Sequence, residues 1–236
     1  MQTVPGPNVL IDNFTDEDRA AFLAVSTPVD FSLGQVIYEG GDQVTHCIFV
    51  EQGIISAVAS MEDGRTVESY MVGSEGATSV WIGDGPFRGH SRLAVQVAGN
   101  GRRIEAGRLQ TMLDDRPGVR AAIGECLAGL RNELEQSGAC NALHRSDQRF
   151  AKWLLRCHDR TEGDVLRLTQ EYLASMLGSQ RTTVNEAAQG LARAGAIRYS
   201  RGKLQILDRG ALERAACECY GRTVDPKVDS DIAARA

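Results

Sequence analysis

The sequence predicts an α+β chain: an antiparallel β-domain of the roll or jelly-roll kind, then a long amphipathic helix, then a C-terminal winged helix-turn-helix. Three observations predict it. Of the 25 glycines, 12 lie between Gly34 and Gly101, where they punctuate short runs rich in β-forming residues. From Val119 to Leu134 an apolar residue recurs at spacings of 4, 4, 3 and 4. Residues 169–207 carry two short helical patterns about a glycine, followed by two strand patterns about a basic turn.

In the first domain the strand-like runs are 35–38, 46–50, 54–59, 67–72 and 92–97. Short strands parted by glycine turns are what an antiparallel roll requires. Residues 117–136 give the connecting helix, with Pro117 suited to the first helical position and an aspartate just upstream. Val119, Ile123, Leu127, Leu130 and Leu134 form a coiled-coil-like seam on it. The same periodicity serves a dimer contact or a helix lying on the β-domain. Residues 142–146 then read as a hinge. A helix over 147–160 follows, its Phe150, Leu154 and Leu155 packing inward while Arg149, Lys152 and Arg156 face out.

Thr169 is placed to cap a helix whose Leu173, Met176 and Leu177 fall at i, i+3 and i+4. Gly178 tolerates the left-handed backbone that ends it. Ser179 is placed to cap a second helix, 180–193, with Val184, Ala187, Ala188 and Leu191 as its apolar positions. Gln180, Arg181, Thr182, Thr183, Asn185 and Glu186 are left facing outward near its start. A recognition helix meets base edges there, and its amide end favours phosphate. An ordinary helical hairpin has the same pattern, and residues 196–207 discriminate between the two. There Ile197 and Tyr199 alternate in one arm and Leu204 and Ile206 in the other, about a Ser200-Arg201-Gly202-Lys203 turn. This reads as a wing, with Arg201 and Lys203 in reach of phosphates. A last helix is expected over 211–220, and 223–236, charged and rich in small residues, reads as a disordered tail.

At these residues the chain resembles the cyclic-AMP receptor protein and FNR (Crp/Fnr) family of bacterial transcription regulators. In the C-terminal part the resemblance is carried by Leu168-Thr169, Leu173-Ala174, Leu177-Gly178, Arg181, Thr183-Val184, Leu191 and Gly195-Ala196-Ile197-Arg198. In the N-terminal part, residues 33–38, 48–53, 63–65 and 72–76 are similar to the family's effector domain. The resemblance implies a cyclic-nucleotide-binding-type β-roll over 1–116, a dimerisation helix and hinge over 117–144, a winged domain over 145–222 and the tail over 223–236. It implies that Thr169, Gln170, Ser179 and Thr183 contact phosphates and that Arg181 reads a guanine. It makes Val119, Ile123, Leu127, Leu130 and Leu134 a dimer interface. A homodimer would then set its recognition helices about 34 Å apart on an inverted-repeat operator in double-stranded DNA. RNA polymerase is a further partner if the protein activates. Glu186 stands where some relatives carry a second basic reader and Thr182 where many carry an acidic one, so the operator sequence stays open.

The family's nucleotide cassette needs amides from a glycine-rich turn, a carboxylate for the ribose and an arginine for the phosphate. Here it is incomplete. Glu75-Gly76-Ala77 matches its start loosely, and Arg92-Leu93-Ala94 has an apolar residue where a hydroxyl would meet phosphate. Glu75, Gly76, Arg88, Ser91 and Arg92 are therefore candidates for a small effector other than cyclic AMP. Alternatively, 83–91 is a solvated turn between strands. An FNR-type iron–sulfur cluster is not expected, since no cysteine precedes Cys47. Haem is not expected either: His46 lies in a strand-like run and reads as structural, beside only His90, His144 and His158. Cys217-x-Cys219 lacks matching ligands nearby in sequence and reads as packing, so no metal ligand and no cofactor is predicted.

Composition fits a regulator once its asymmetry is seen. The net charge is −5, yet residues 145–210 hold 12 Lys and Arg against 7 Asp and Glu, so the basic third carries the motif. The six cysteines are scattered, which favours free thiols. No run of 18 apolar residues and no signal peptide is present, which predicts a cytoplasmic protein without a membrane partner. No nucleophile–base grouping or phosphate loop occurs at a workable spacing, so no catalytic residue and no enzyme is expected. The expectation is a DNA-binding transcription regulator. The alternatives are a regulator that needs no effector, and a small-molecule-binding module whose winged domain makes protein contacts.

Overall fold

Two long antiparallel strands organise the glycine-punctuated half of the chain in this computed structural model. The structure describes residues 8–83, 85–200 and 202–224. Helices α1 (Val9–Asp12) and α2 (Asp16–Val25) lead into β1 (Thr27–Phe31), β2 (Val36–Tyr38), β3 (His46–Ser60), β4 (Thr66–Val72) and β5 (Arg92–Glu105). These strands form one sheet in the order β1-β5-β3-β4, with β2 also on β5. Strand β3 joins the expected runs 46–50 and 54–59, because a bulge rather than a turn lies between them. Gly53 sits in that bulge with φ +91°. Across from it, a Cβ on Gly99 would stand 2.0 Å from the Gln52 carbonyl oxygen. Only glycine fits on either side of this bend.

The sheet wraps a core that includes Phe22, Phe49, Ile55, Ile104 and Leu113. Strand β1 and helix α2, unread in the sequence, both contribute to it. Asn8 anchors the entry: its Nδ2 donates to the carbonyls of Val50 and Gly76, each at 2.7 Å, while its Oδ1 accepts from the Ile11 amide at 3.1 Å. Asn8 is fully buried, and its three bonds offset what a lone polar side chain would cost there.

After α3 (Ala106–Asp115) comes the long helix α4 (Pro117–Leu143). Its first turns correct the expected dimer seam. Val119 and Ile123 are fully buried within the sheet's own core, so they have no surface to offer a second chain. The periodicity was the same for both uses, and burial decides between them. Leu127 packs partly against that core, whereas Leu134 is 40 % exposed.

The chain divides into two units inside α4, Met1–Ser60 with Ser69–Leu130 and Met61–Glu68 with Arg131–Ala236. The expected boundary lay at 144/145. The second unit holds α5 (Ser146–Asp159), β6 (Val165–Arg167), α6 (Gln170–Met176), α7 (Arg181–Arg193), β7 (Ile197–Ser200), β8 (Lys203–Ile206), α8 (Arg209–Ala215) and α9 (Cys219–Val224). Phe150, Leu154 and Leu155 of α5 are fully buried, as their spacing predicts. Lys152 and Arg156, expected to face out, are buried instead. Arg156 ion-pairs with Glu133 on the second half of α4, and Arg149 donates to the Leu177 carbonyl at 2.6 Å. A buried cation requires such partners, and one-helix periodicity cannot reveal them.

The single helix expected over 211–220 is two helices. Ala216 turns extended (φ −73°, ψ 156°) and ends α8, and α9 then runs to Val224. Helix α9 thus takes the first two residues of the expected tail, and 225–236 lie outside the described residues. No helix among the described residues is long and apolar enough to cross a membrane.

Candidate nucleic-acid interface

The turn between α6 and α7 is built from backbone hydrogen bonds. Thr169 caps α6, its hydroxyl accepting from the Tyr172 amide at 3.1 Å. At the other end Gly178 adopts φ +57°, its amide bonds the Ser175 carbonyl at 3.1 Å, and the Ser179 amide bonds the Ala174 carbonyl at 3.0 Å. These two bonds are a Schellman closure. Ser179 is spent in closing α6 and does not cap α7, contrary to the sequence expectation. Gln180 takes that position without a side-chain cap. The first amides of α7 therefore have no side-chain acceptor, which suits an incoming phosphate.

Val184, Ala187, Ala188 and Leu191 hold α7 against the core of the unit. That orientation leaves Gln180, Arg181, Thr182 and Glu186 exposed and Thr183 and Asn185 half-buried. Gln170 Nε2 donates to Asn185 Oδ1 at 3.1 Å, so α6 and α7 share a polar seam at their exposed ends. Arg181 ion-pairs with Glu171 of α6, both side chains more than half exposed.

Strands β6, β8 and β7 form a three-stranded sheet in that order. The wing is fastened to the start of α6: the Tyr199 hydroxyl donates to the Leu168 carbonyl at 2.9 Å, and the Leu168 amide donates to the Gly202 carbonyl at 2.9 Å. Thr169, Gln170 and Lys203 are thereby carried on one framework. Arg201 lies outside the described residues.

Sequence reasoning missed Arg167. It pairs in register with Lys203 across β6 and β8, and both are exposed. Like charges directly opposite on a sheet repel, so their pairing favours an anion that lies over both. The three-residue β6 has no local signal, and only a basic residue just upstream of Leu168 hinted at it. Arg167→Ala and Lys203→Ala are each expected to weaken all duplexes alike and to lower the salt slope of binding by about 1. Titrations at several salt concentrations check this.

Residues 148–215 match the profile of the Crp-like helix-turn-helix domain. The chain is 27 % identical over 207 residues to the CRP-like cAMP-activated global transcriptional regulator of Mycobacterium tuberculosis, covering 84 % of this chain and 91 % of that protein. It is 28 % identical over 215 residues to the transcriptional regulator SdrP of Thermus thermophilus, covering 84 % and 98 %. The chain therefore carries a Crp-like helix-turn-helix domain and is similar over most of its length to transcription regulators of the Crp/Fnr type. Its fold is likewise that of FixK2 from Bradyrhizobium japonicum, with a TM-score of 0.69 at 16 % identity, covering 82 % of this chain and 98 % of that structure. The chain is a transcription regulator with a helix-turn-helix DNA-binding domain.

The candidate effector residues of this regulator fall into two groups. Gly76 lies against Val50, where its carbonyl accepts from Asn8, and Glu75 accepts from the Gly73 amide at 3.1 Å. Arg92 instead pairs with Val58 in the sheet, eight residues along β3 from Val50, a strand length of about 26 Å. Arg92 also faces Glu39 at 3.4 Å, and Arg88 donates to the Gly41 carbonyl at 2.8 Å. Ser91 is half-buried between them.

His46 and Cys47 are structural. His46 Nδ1 is 2.8 Å from the Tyr38 hydroxyl, and burial lowers the imidazole's pKa. Burial pushes the Cys47 thiol up to about 12. The sequence left Cys217 and Cys219 without matching ligands, and the fold corrects this by bringing Cys140 and His144 beside them.

Proposed function

We propose that the chain acts as a homodimer that binds an inverted-repeat operator through the exposed N-terminal face of α7, under a small effector other than cyclic AMP. The observation that carries this is the open amide end of α7, which presents Gln180, Arg181 and Thr182, while the Arg167–Lys203 pair lies on the wing sheet that is fastened to the start of α6. Base readers and phosphate contacts are carried by one unit, as groove recognition requires.

Dimerisation is supported by Leu130 and Leu134, which continue the apolar repeat of α4 beyond the part that the sheet covers. Leu127 borders both uses. The mycobacterial relative is cAMP-activated, but here Arg92 faces Glu39 and Leu93 is buried where the cassette wants a hydroxyl. Those features favour a different ligand.

Selection of bound sequences from a random duplex pool tests the proposal. The expected product is an inverted repeat whose half-sites lie about one helical turn, roughly 34 Å, apart. A single unrepeated site would refute the dimer, and no enrichment would refute base reading.

A further inference from the structure

One cluster lies apart from the DNA-binding face. Cys140 lies in the last turn of α4 and His144 immediately follows the helix, its amide donating to the Cys140 carbonyl at 3.0 Å, so the two stand one helical turn apart. Cys217 lies in the break between α8 and α9, and Cys219 is the first residue of α9. The four ligand atoms all lie within 4.8 Å of one another.

We propose that Cys140, His144, Cys217 and Cys219 bind a single tetrahedral zinc-class ion that ties the end of α4 to the α8–α9 junction.

The spacing supports one ion. With metal–sulfur bonds near 2.3 Å and metal–nitrogen bonds near 2.0 Å, tetrahedral edges are about 3.8 Å for S···S and about 3.5 Å for S···N. The Cys140 and Cys217 sulfurs are 3.6 Å apart, and Cys219 Sγ is 3.4 Å from His144 Nδ1. A multi-iron cluster would hold its thiolates on different irons and farther apart than this.

The surroundings are those of a metal site rather than of packing. His144 Nε2 lies 3.2 Å from the Glu218 carboxylate. Donation there leaves Nδ1 as the free lone pair facing the sulfurs, the carboxylate–histidine–metal arrangement. Gln136 Nε2 donates to Cys219 Sγ at 2.9 Å, which suits a thiolate acceptor. Three thiolates and a dication leave a net charge of −1. The buried Lys152, whose charge favours the Cys140 thiolate, offsets it. An apolar cysteine cluster would use none of these polar partners.

Binding releases the thiol protons of the three cysteines to solvent, so no oxidant or reductant is needed. Because His144 immediately precedes the residue that caps α5, the ion would fix the direction in which α5 leaves α4.

The test is a Co2+ titration of the full-length reduced chain, read by absorbance and followed by displacement with Zn2+. The site predicts strong visible bands of tetrahedral cobalt with thiolate ligands, saturating at one ion per chain and lost on adding Zn2+. Glu218→Gln, at a side chain 64 % exposed, should lower Zn2+ affinity about 10–100-fold without changing the far-ultraviolet circular dichroism. C217S/C219S should abolish the bands. Should that variant fail to fold, the wild-type spectrum and Glu218→Gln still decide. The proposal is overturned by weak octahedral cobalt bands, by saturation at more than one ion, by purified protein carrying iron with labile sulfide, or by an unchanged affinity in Glu218→Gln. No arm requires DNA, so its outcome is independent of the operator-binding proposal.

Discussion

Replacing Arg181 with alanine is expected to weaken binding to the preferred operator by about 1–3 kcal/mol, while binding to random duplex changes far less. The guanidinium fork matches the two acceptors of a guanine edge in the major groove, and no other side chain on the exposed start of α7 can supply that pair of donors. In the free protein Arg181 is engaged with Glu171. An exposed ion pair contributes only about 0–1 kcal/mol, so exchanging it for a guanine is favourable. Arg181→Lys should recover the charge but not the discrimination, because an ammonium lacks the planar fork. Anisotropy titrations on the selected operator and on a scrambled duplex separate the two effects. Equal losses on both would remove Arg181 as a base reader.

Phe150→Ala should destabilise the second unit by about 3–5 kcal/mol, a large share of the 5–15 kcal/mol that holds a typical domain folded. Phe150 is fully buried on α5, the helix against which α7 and α8 pack. Its loss would leave a cavity behind the recognition helix, and the operator would be lost with it although Phe150 lies in the core rather than on the exposed face. Phe150→Leu keeps most of the volume and should cost less. Denaturant titration followed by circular dichroism reads both. A Phe150→Ala midpoint equal to the wild type would show that α5 is not the keystone of this unit.

The helix-turn-helix was legible because its determinants are local. Thr169 as a cap, Gly178 as a left-handed stop and the apolar positions of α6 and α7 act within a few residues of one another. Ser179 was misread as a cap because its sequence position suits that role, and only the backbone bond to Ala174 shows that it closes α6 instead. The missing parts depend on partners far along the chain. Lys152 and Arg156 turn inward toward Cys140 and Glu133, on a different helix. Strand β6 exists because Leu166 meets Leu204, and that register has no signature in three residues. Val119 and Ile123 carry a repeat that fits a second chain or the chain's own sheet equally well. The cysteine cluster was invisible for the same reason, since 77 residues separate Cys140 from Cys217. The β-domain was legible in outline, but a bulge and a turn both call for glycine, so 46–60 read as two strands where the fold has one.

Whether this chain reads DNA sequence as a dimer through α7 is tested most directly by binding of the selected operator and of random duplex across a salt series, with stoichiometry measured at saturation. Two chains per operator and a preference of at least about 10³-fold over random duplex are predicted. A steep loss of affinity on both DNAs is also predicted as salt rises. One chain per duplex, or equal affinity for the two DNAs at every salt concentration, would contradict dimeric sequence reading.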